Sequence, residues 1–201
     1  MVHISEGMNY LRVAGYNQRL PFVYYEFGCH SGRTYSAAIN AGLHFGMKDA
    51  QYYAFDSFQG LPKTIEEEDG IFKEGTFSTT QENFKNIVKK NTRVEVEDET
   101  LIAGFYSETL TPELQAKLPK AGLVYIDVDL YSSTRDVLKF LTTQLVIGSI
   151  IMFDDWYCFP PGSNMGEQRA FKEFCDSNPN IEVEEWKNFS TFGKSYFITN
   201  I

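Results

Sequence analysis

"YYEFGCHSGRT", residues 24–34, runs from an aromatic, apolar stretch into a turn with two glycines and then into residues that open a helix. A strand, a glycine turn and a helix in that order form the opening unit of an α/β fold, and such turns hold ligands. Neither common phosphate pattern fits this one. A Walker-A loop, G-x-x-x-x-G-K followed by Ser or Thr, needs a longer gap. Gly28 to Gly32 is one residue too short for it, and Arg33 stands where its lysine would be. The dinucleotide pattern G-x-G-x-x-G fails because His30 occupies its second glycine position.

Outward from this turn, apolar β-rich runs alternate with helical patterns. "FVYYEF" (22–27) reads as a buried strand and residues 31–46 as a helix stopped by Gly46. "QYYAFDSF" is a second strand ending near Asp56. "TTQENFKNIVKK" is a helix capped by Thr80, with Phe84, Ile87 and Val88 on one face. "RVEVE" (93–97) is the expected third strand, and "TPELQAKL" a helix with Pro112 in its first turn. "GLVYIDVDL" and "GSIIMFDD" are strands flanking the helix "SSTRDVLKFLTTQL", and "GEQRAFKEFCDSN" is the last helix. "IEVEEW" and "SYFITN" close the chain as a hairpin. The expectation is an α/β fold: a mainly parallel seven-stranded sheet with a C-terminal antiparallel hairpin and helices on both faces. Residues 1–201 form one domain in this reading. The polar, glycine-punctuated interval 62–80 is its lid or substrate loop.

Composition narrows the partners. A formal net charge of −9 with no basic stripe argues against a nucleic-acid surface. No apolar run approaches membrane-spanning length, and the first twenty residues hold no signal-peptide core. The three cysteines, Cys29, Cys158 and Cys175, are unpatterned, which suggests free thiols in a reducing, cytoplasmic setting. No histidine is placed to activate Cys29 as a nucleophile.

In an open parallel sheet, ligands bind outside the carboxyl ends of the strands. Glu26, Gly28 and Gly32 mark the end of the first strand, Asp56 and Ser57 that of the second. Asp127 and Asp129 mark the fourth, Asp154 and Asp155 the fifth. Gly28 and Gly32 let the backbone approach a ligand, and Thr34 can donate to a carboxylate. His30 is a loop residue beside that ligand. Asp56 stands where such folds place an acid that accepts both ribose hydroxyls, and Glu26 would favour a cationic group. Ribose plus a cationic amino acid without phosphates describes S-adenosylmethionine. Asp127, Asp154 and Asp155 form a second set: clustered carboxylates need a cation, and an all-oxygen set favours Mg²⁺, Ca²⁺ or Mn²⁺ over zinc. Asp129, by strand alternation, would point away from Asp127's side. "WYCFPPG" (156–162) either walls an acceptor pocket or makes a contact between copies in a homo-oligomer.

The stretches "EFGCHSGRT", "AFDSFQGLP", "AGFYSETL", "YIDVDLYSSTRDVLKFL", "IIMFDDW" and "GEQRAFKEF" resemble the macrocin O-methyltransferase (TylF/MycF-like) family over roughly residues 22–176. The resemblance implies a Rossmann-like class I methyltransferase fold, an S-adenosylmethionine cofactor and a divalent metal, Mg²⁺ or another, at the acceptor site. It implies methylation of a hydroxyl on a sugar or glycosylated small molecule. Carried onto this chain, Glu26, Gly28, Gly32 and Thr34 would hold the methionine part, and Asp56 and Ser57 the ribose. Gly104 with Phe105 or Tyr106 would line the adenine side. Asp127, Asp154 and Asp155 match the metal ligands, and Asp127 is counted beside the cofactor as well. A similar arrangement in catechol O-methyltransferase uses a lysine base three positions after the first metal aspartate. Leu130 stands there in this chain, so Asp127 or a metal-held hydroxide is left to take the proton. The chain begins about twenty residues before its first strand, so the N-terminal substrate-covering region of the antibiotic enzymes is expected to be reduced. Two other functions stay open: an Asp-x-Asp glycosyltransferase using "DVD" (127–129), and a cofactor-binding protein without activity.

Overall fold

The computed structural model describes residues 2–18, 20–63 and 72–201. Helix α1 (Val2–Gln18) precedes β1 (Val23–Phe27), α2 (Arg33–His44) and β2 (Gln51–Asp56). Then come α3 (Gln81–Thr92), β3 (Leu101–Ala103), α4 (Tyr106–Thr109) and α5 (Pro112–Lys117). The second half is β4 (Leu123–Ile126), α6 (Tyr131–Leu141), β5 (Ile150–Phe153), α7 (Gly166–Ser177), β6 (Glu182–Phe189) and β7 (Gly193–Asn200). The strands form one seven-stranded sheet in the order β3-β2-β1-β4-β5-β7-β6. β1 to β5 are parallel, while β7 runs antiparallel to both β5 and β6. This is the expected architecture.

Why these strands read as continuous apolar runs is visible in the packing. Tyr24, Leu123, Tyr125, Ile150 and Met152 face a cluster built with Ile4, Met8 and Leu11 of α1, Tyr35 and Ala38 of α2, and Phe84 and Val88 of α3. Their neighbours Tyr25, Phe27, Val124, Ile126, Ile151 and Phe153 face the other cluster, with Val137 and Leu138 of α6 and Phe171 and Phe174 of α7. Both faces are covered, so period-two alternation of polarity is lost, as a central parallel strand requires.

Local signals hold at several ends. The Thr80 side chain accepts from the Asn83 amide at 3.0 Å, and Pro112 opens α5 behind a Thr111 cap. The third strand is a correction. Residues 94–97 form no strand among the described residues; β3 is Leu101–Ala103, after a short 3₁₀ turn at Asp98–Thr100. Arg93 is spent as the left-handed C-cap of α3, with φ 64° and its amide donating to Lys89 O. Val94 and Val96 then pack partly buried against the core without entering the ladder. Helix α1 was not anticipated either, although Ile4, Met8 and Leu11 carry helical spacing.

The loop expected over 62–80 lies partly outside the described residues, at 64–71. Its described base is closed by the backbone: Leu61 N donates to Thr76 O, and Gly75 N to Leu61 O, each at 2.9 Å.

Candidate active site

The sheet order reverses between β1 and β4, so their two exit loops diverge and leave a crevice at their carboxyl ends. Gly28 leaves β1 with φ +83°, and a Cβ there would lie 1.7 Å from the carbonyl oxygen of Asp127, the residue after β4. Only glycine permits that approach. A cavity of about 580 Å³ opens beside it. Gly28, His30, Asp56, Ser57, Gly104, Phe105 and Asp127 of the expected set line this cavity.

Asp56 is held by its own fold. The His30 amide donates to its Oδ2 and the Phe58 amide to its Oδ1, both at 2.7 Å. These bonds fix the carboxylate's plane, and each oxygen keeps a lone pair for a ligand hydroxyl. Ser57 is spent locally, donating to Gly60 O at 2.8 Å. Phe77, which the sequence did not single out, joins the lining and meets the His30 ring edge-on at 6.3 Å.

Glu26, Gly32 and Thr34 stand outside the lining. Glu26 is 1% exposed and receives the Tyr24 hydroxyl. Burial, with smaller pushes from Asp56 and Asp154, raises its carboxyl to about 8 against the hydrogen bonds that favour the anion. Gly32 caps α2 in the left-handed region, where a Cβ would meet Val88 at 2.7 Å and Phe84 at 2.9 Å. Its glycine answers to helix packing.

On the far side of Asp127, three carboxylates converge. Oxygens of Asp127, Asp154 and Asp155 all lie within 4.8 Å of one another, the group among the described residues that could hold a metal ion. An oxygen-liganded cation with ligand distances of about 2.0–2.6 Å spans such a set. Two of the acids are fastened by side chains. The Tyr125 hydroxyl donates to Asp154 Oδ1 at 2.5 Å, and Cys158 Sγ to Asp155 Oδ1 at 3.2 Å. Asp155 Oδ2 is buried and has no hydrogen-bond partner among the described residues. Burial first, then the charges of Asp155 and Asp154, hold the Asp127 carboxyl well above the usual carboxylate range. Mutual repulsion with an orphaned buried oxygen fits a divalent cation.

Asp129 is a further correction. β4 stops at Ile126, so alternation does not reach Asp129; it sits at φ 60° and lines the cavity. Burial, then Asp155 and Asp154, raise its carboxyl to about 7. Leu130 is fully buried and supplies no base. Glu167, in α7, was quoted within a motif but given no role. It is 2% exposed, and its Oε2 accepts the Asp155 amide at 3.0 Å.

Comparison with known proteins places this geometry. The profile of the family described as macrocin-O-methyltransferase (TylF) matches residues 24–184. The demethyldecarbamoylnovobiocin O-methyltransferase of Streptomyces niveus is 27% identical over 139 residues, 65% of this chain and 51% of that protein. The match thus spans about half the length of this curated relative. Among solved structures, the O-methyltransferase NovP has a TM-score of 0.80 at 18% identity, covering 98% of this chain and 78% of the other. A calicheamicin methyltransferase has a TM-score of 0.70 at 19% identity, covering 96% and 77%. At such identities the two structures speak for the fold, and the profile speaks for kinship. The chain belongs to the macrocin O-methyltransferase (TylF) family.

Proposed function

We propose that this chain is an S-adenosylmethionine-dependent O-methyltransferase that acts, with a divalent cation, on a hydroxyl of a sugar or glycosylated small molecule. The observation that carries the reading is the meeting of Asp127, Asp154 and Asp155 beside a cavity at the switch point of the sheet, with Asp56 on its other wall. Family membership favours it over the Asp-x-Asp glycosyltransferase.

Bound there, S-adenosylmethionine supplies an electrophilic methyl group, and the cation supplies Lewis acidity toward the acceptor hydroxyl. The protein's part is alignment and proton handling. Asp56 would accept the ribose hydroxyls, Gly28 and Gly104 would let backbone lie against the ligand, and Phe105 would line the adenine side. Glu26, Gly32 and Thr34 shape the turn that receives the methionine end. Asp154 and Asp155 would hold the cation with Asp127, and the Asp127 carboxylate would take the hydroxyl proton because Leu130 offers no base. Holding both reactants in near-attack geometry lowers a barrier by about 7–11 kcal/mol. At the described base of the loop, Lys63 and Phe77 stand on the cavity wall.

Replacing Asp154 by Ala is expected to leave S-adenosylhomocysteine binding within about threefold while lowering Mg²⁺-dependent methyl transfer by at least about 100-fold. Transfer of a radioactive methyl group to a hydroxylated acceptor, with and without EDTA, measures it. Full activity in the Asp154→Ala protein, or in EDTA, rules the cation out of the reaction.

A further inference from the structure

Glu167 is the second residue of α7, and α7 begins 11 residues after Asp155. One of its oxygens, Oε2, takes the Asp155 amide at 3.0 Å; the other, Oε1, is buried with no hydrogen-bond partner among the described residues. The strongest charges acting on it come from Asp155, Asp127 and Asp154, all of its own sign. A buried carboxylate with one orphaned oxygen, facing like charges, is costly unless something positive shares the site.

Fastening the loop does not by itself call for an acid. The adjacent Gln168 already ties it with a neutral amide: Nε2 donates to Trp156 O at 2.7 Å, and Oε1 accepts the Gly162 amide at 3.0 Å. Phe159 packs against Gly166 from the same loop, where a Cβ would lie 2.7 Å from its ring. What the residue next to Gln168 adds is an ionisable carboxyl and a grip on the backbone of one aspartate of the cluster.

We propose that Glu167 belongs to the cation site as a positioning residue, one that fixes Asp155 through its amide and, with the cation bound, adds negative charge behind the three ligands. The inference rests on the reading that Asp127, Asp154 and Asp155 hold a divalent cation. It assigns the motif "GEQ" (166–168) two jobs: Gln168 shapes the loop, and Glu167 tunes the affinity of the cation site. Residues that orient metal ligands in this way commonly change metal affinity by about 10–100-fold when replaced.

The test is calorimetric titration of Mn²⁺ into the wild type and the Glu167→Gln protein, with S-adenosylhomocysteine as the control ligand and thermal unfolding in EDTA. Gln matches the size of Glu and keeps an oxygen for the Asp155 amide, so the change is one of charge. Mn²⁺ affinity is expected to fall about 10–100-fold with S-adenosylhomocysteine affinity within about twofold. The metal-free melting temperature is expected not to fall, because the amide of Gln fits the same space and keeps the bond from the Asp155 amide. Loss of Mn²⁺ affinity alone supports the inference. Unchanged Mn²⁺ affinity overturns it, and so does failure to fold or an equal loss of both ligands, which would make Glu167 a structural residue. A wild-type protein that binds no Mn²⁺ overturns the cation reading beneath it, a result distinct from wild-type binding that the substitution leaves untouched.

Discussion

Glu26 shows how one residue's chemistry follows from where its strand ends. It lies at the fourth position of β1, on the face that carries Tyr24, and its carboxyl is raised to about 8 chiefly by burial. The folded protein therefore keeps a proton that the unfolded chain releases near its ordinary value of 4.5. The stabilisation is complete below that ordinary value and is lost as pH rises through about 8. Ligand-free protein is expected to lose stability steadily across this window, and Glu26→Gln to flatten the loss. At pH 9 the Gln protein should exceed the wild type by at least about 1 kcal/mol in urea unfolding at fixed ionic strength. Parallel pH profiles for the two proteins would show that Glu26 is ionised in the fold. Asp56 is fixed by backbone instead: it accepts two amides at 2.7 Å, from the loops after β1 and β2.

At the scale of elements, helix α1 and strand β3 are instructive because pattern and outcome diverge. α1 carries no acidic residue in its first turn and no basic residue in its last, so its helical spacing stands without end signals. Its stability comes from tertiary packing, as is usual for helices of this length. Ile4, Met8 and Leu11 are buried to 1% exposure or less, and a Cβ on Gly122 would lie 2.6 Å from Leu11 Cδ1. The His3 ring stacks on Phe189 of β6 at 4.6 Å, joining the first helix to the last hairpin. Leu11→Ala is expected to cost about 2–5 kcal/mol in urea unfolding, by cavity formation under β4. A cost below 1 kcal/mol would mean that α1 is not part of the folding unit. β3 is legible only afterwards: three residues carry no period, whereas the valines of 93–97 imitate one.

Across the whole molecule, the charge is uneven. The formal net charge is −9, and the acids of β2, β4 and β5 gather at one end of the sheet. Such a centre should respond to divalent ions specifically and to ionic strength only weakly. Mg²⁺, Mn²⁺ or Ca²⁺ at a hundredfold excess over its dissociation constant is expected to add about 2.7 kcal/mol, a rise of about 5–10 °C in melting temperature. NaCl matched in ionic strength should not reproduce the rise, and Asp127→Asn should abolish most of it. Scanning calorimetry in EDTA, NaCl and divalent salt separates these outcomes; an equal shift in NaCl would reduce the effect to screening.

The sequence alone determined everything that a residue imposes on its own stretch of backbone. It carried the strand–turn–helix alternation, the Thr80 cap, the Pro112 helix start and the acids at the tips of β2, β4 and β5, so the fold class and most of the candidate site were legible. Tertiary structure decided which tips become neighbours. The order β2-β1-β4-β5 sets Gly28 against Asp127, about a hundred residues apart in the chain. It turned Asp129 toward the cavity by ending β4 at Ile126, three residues before it, and it placed Glu167 of α7 behind Asp155. Those contacts arise from sheet order and packing depth, which involve many residues distant in sequence and therefore leave no local period to read.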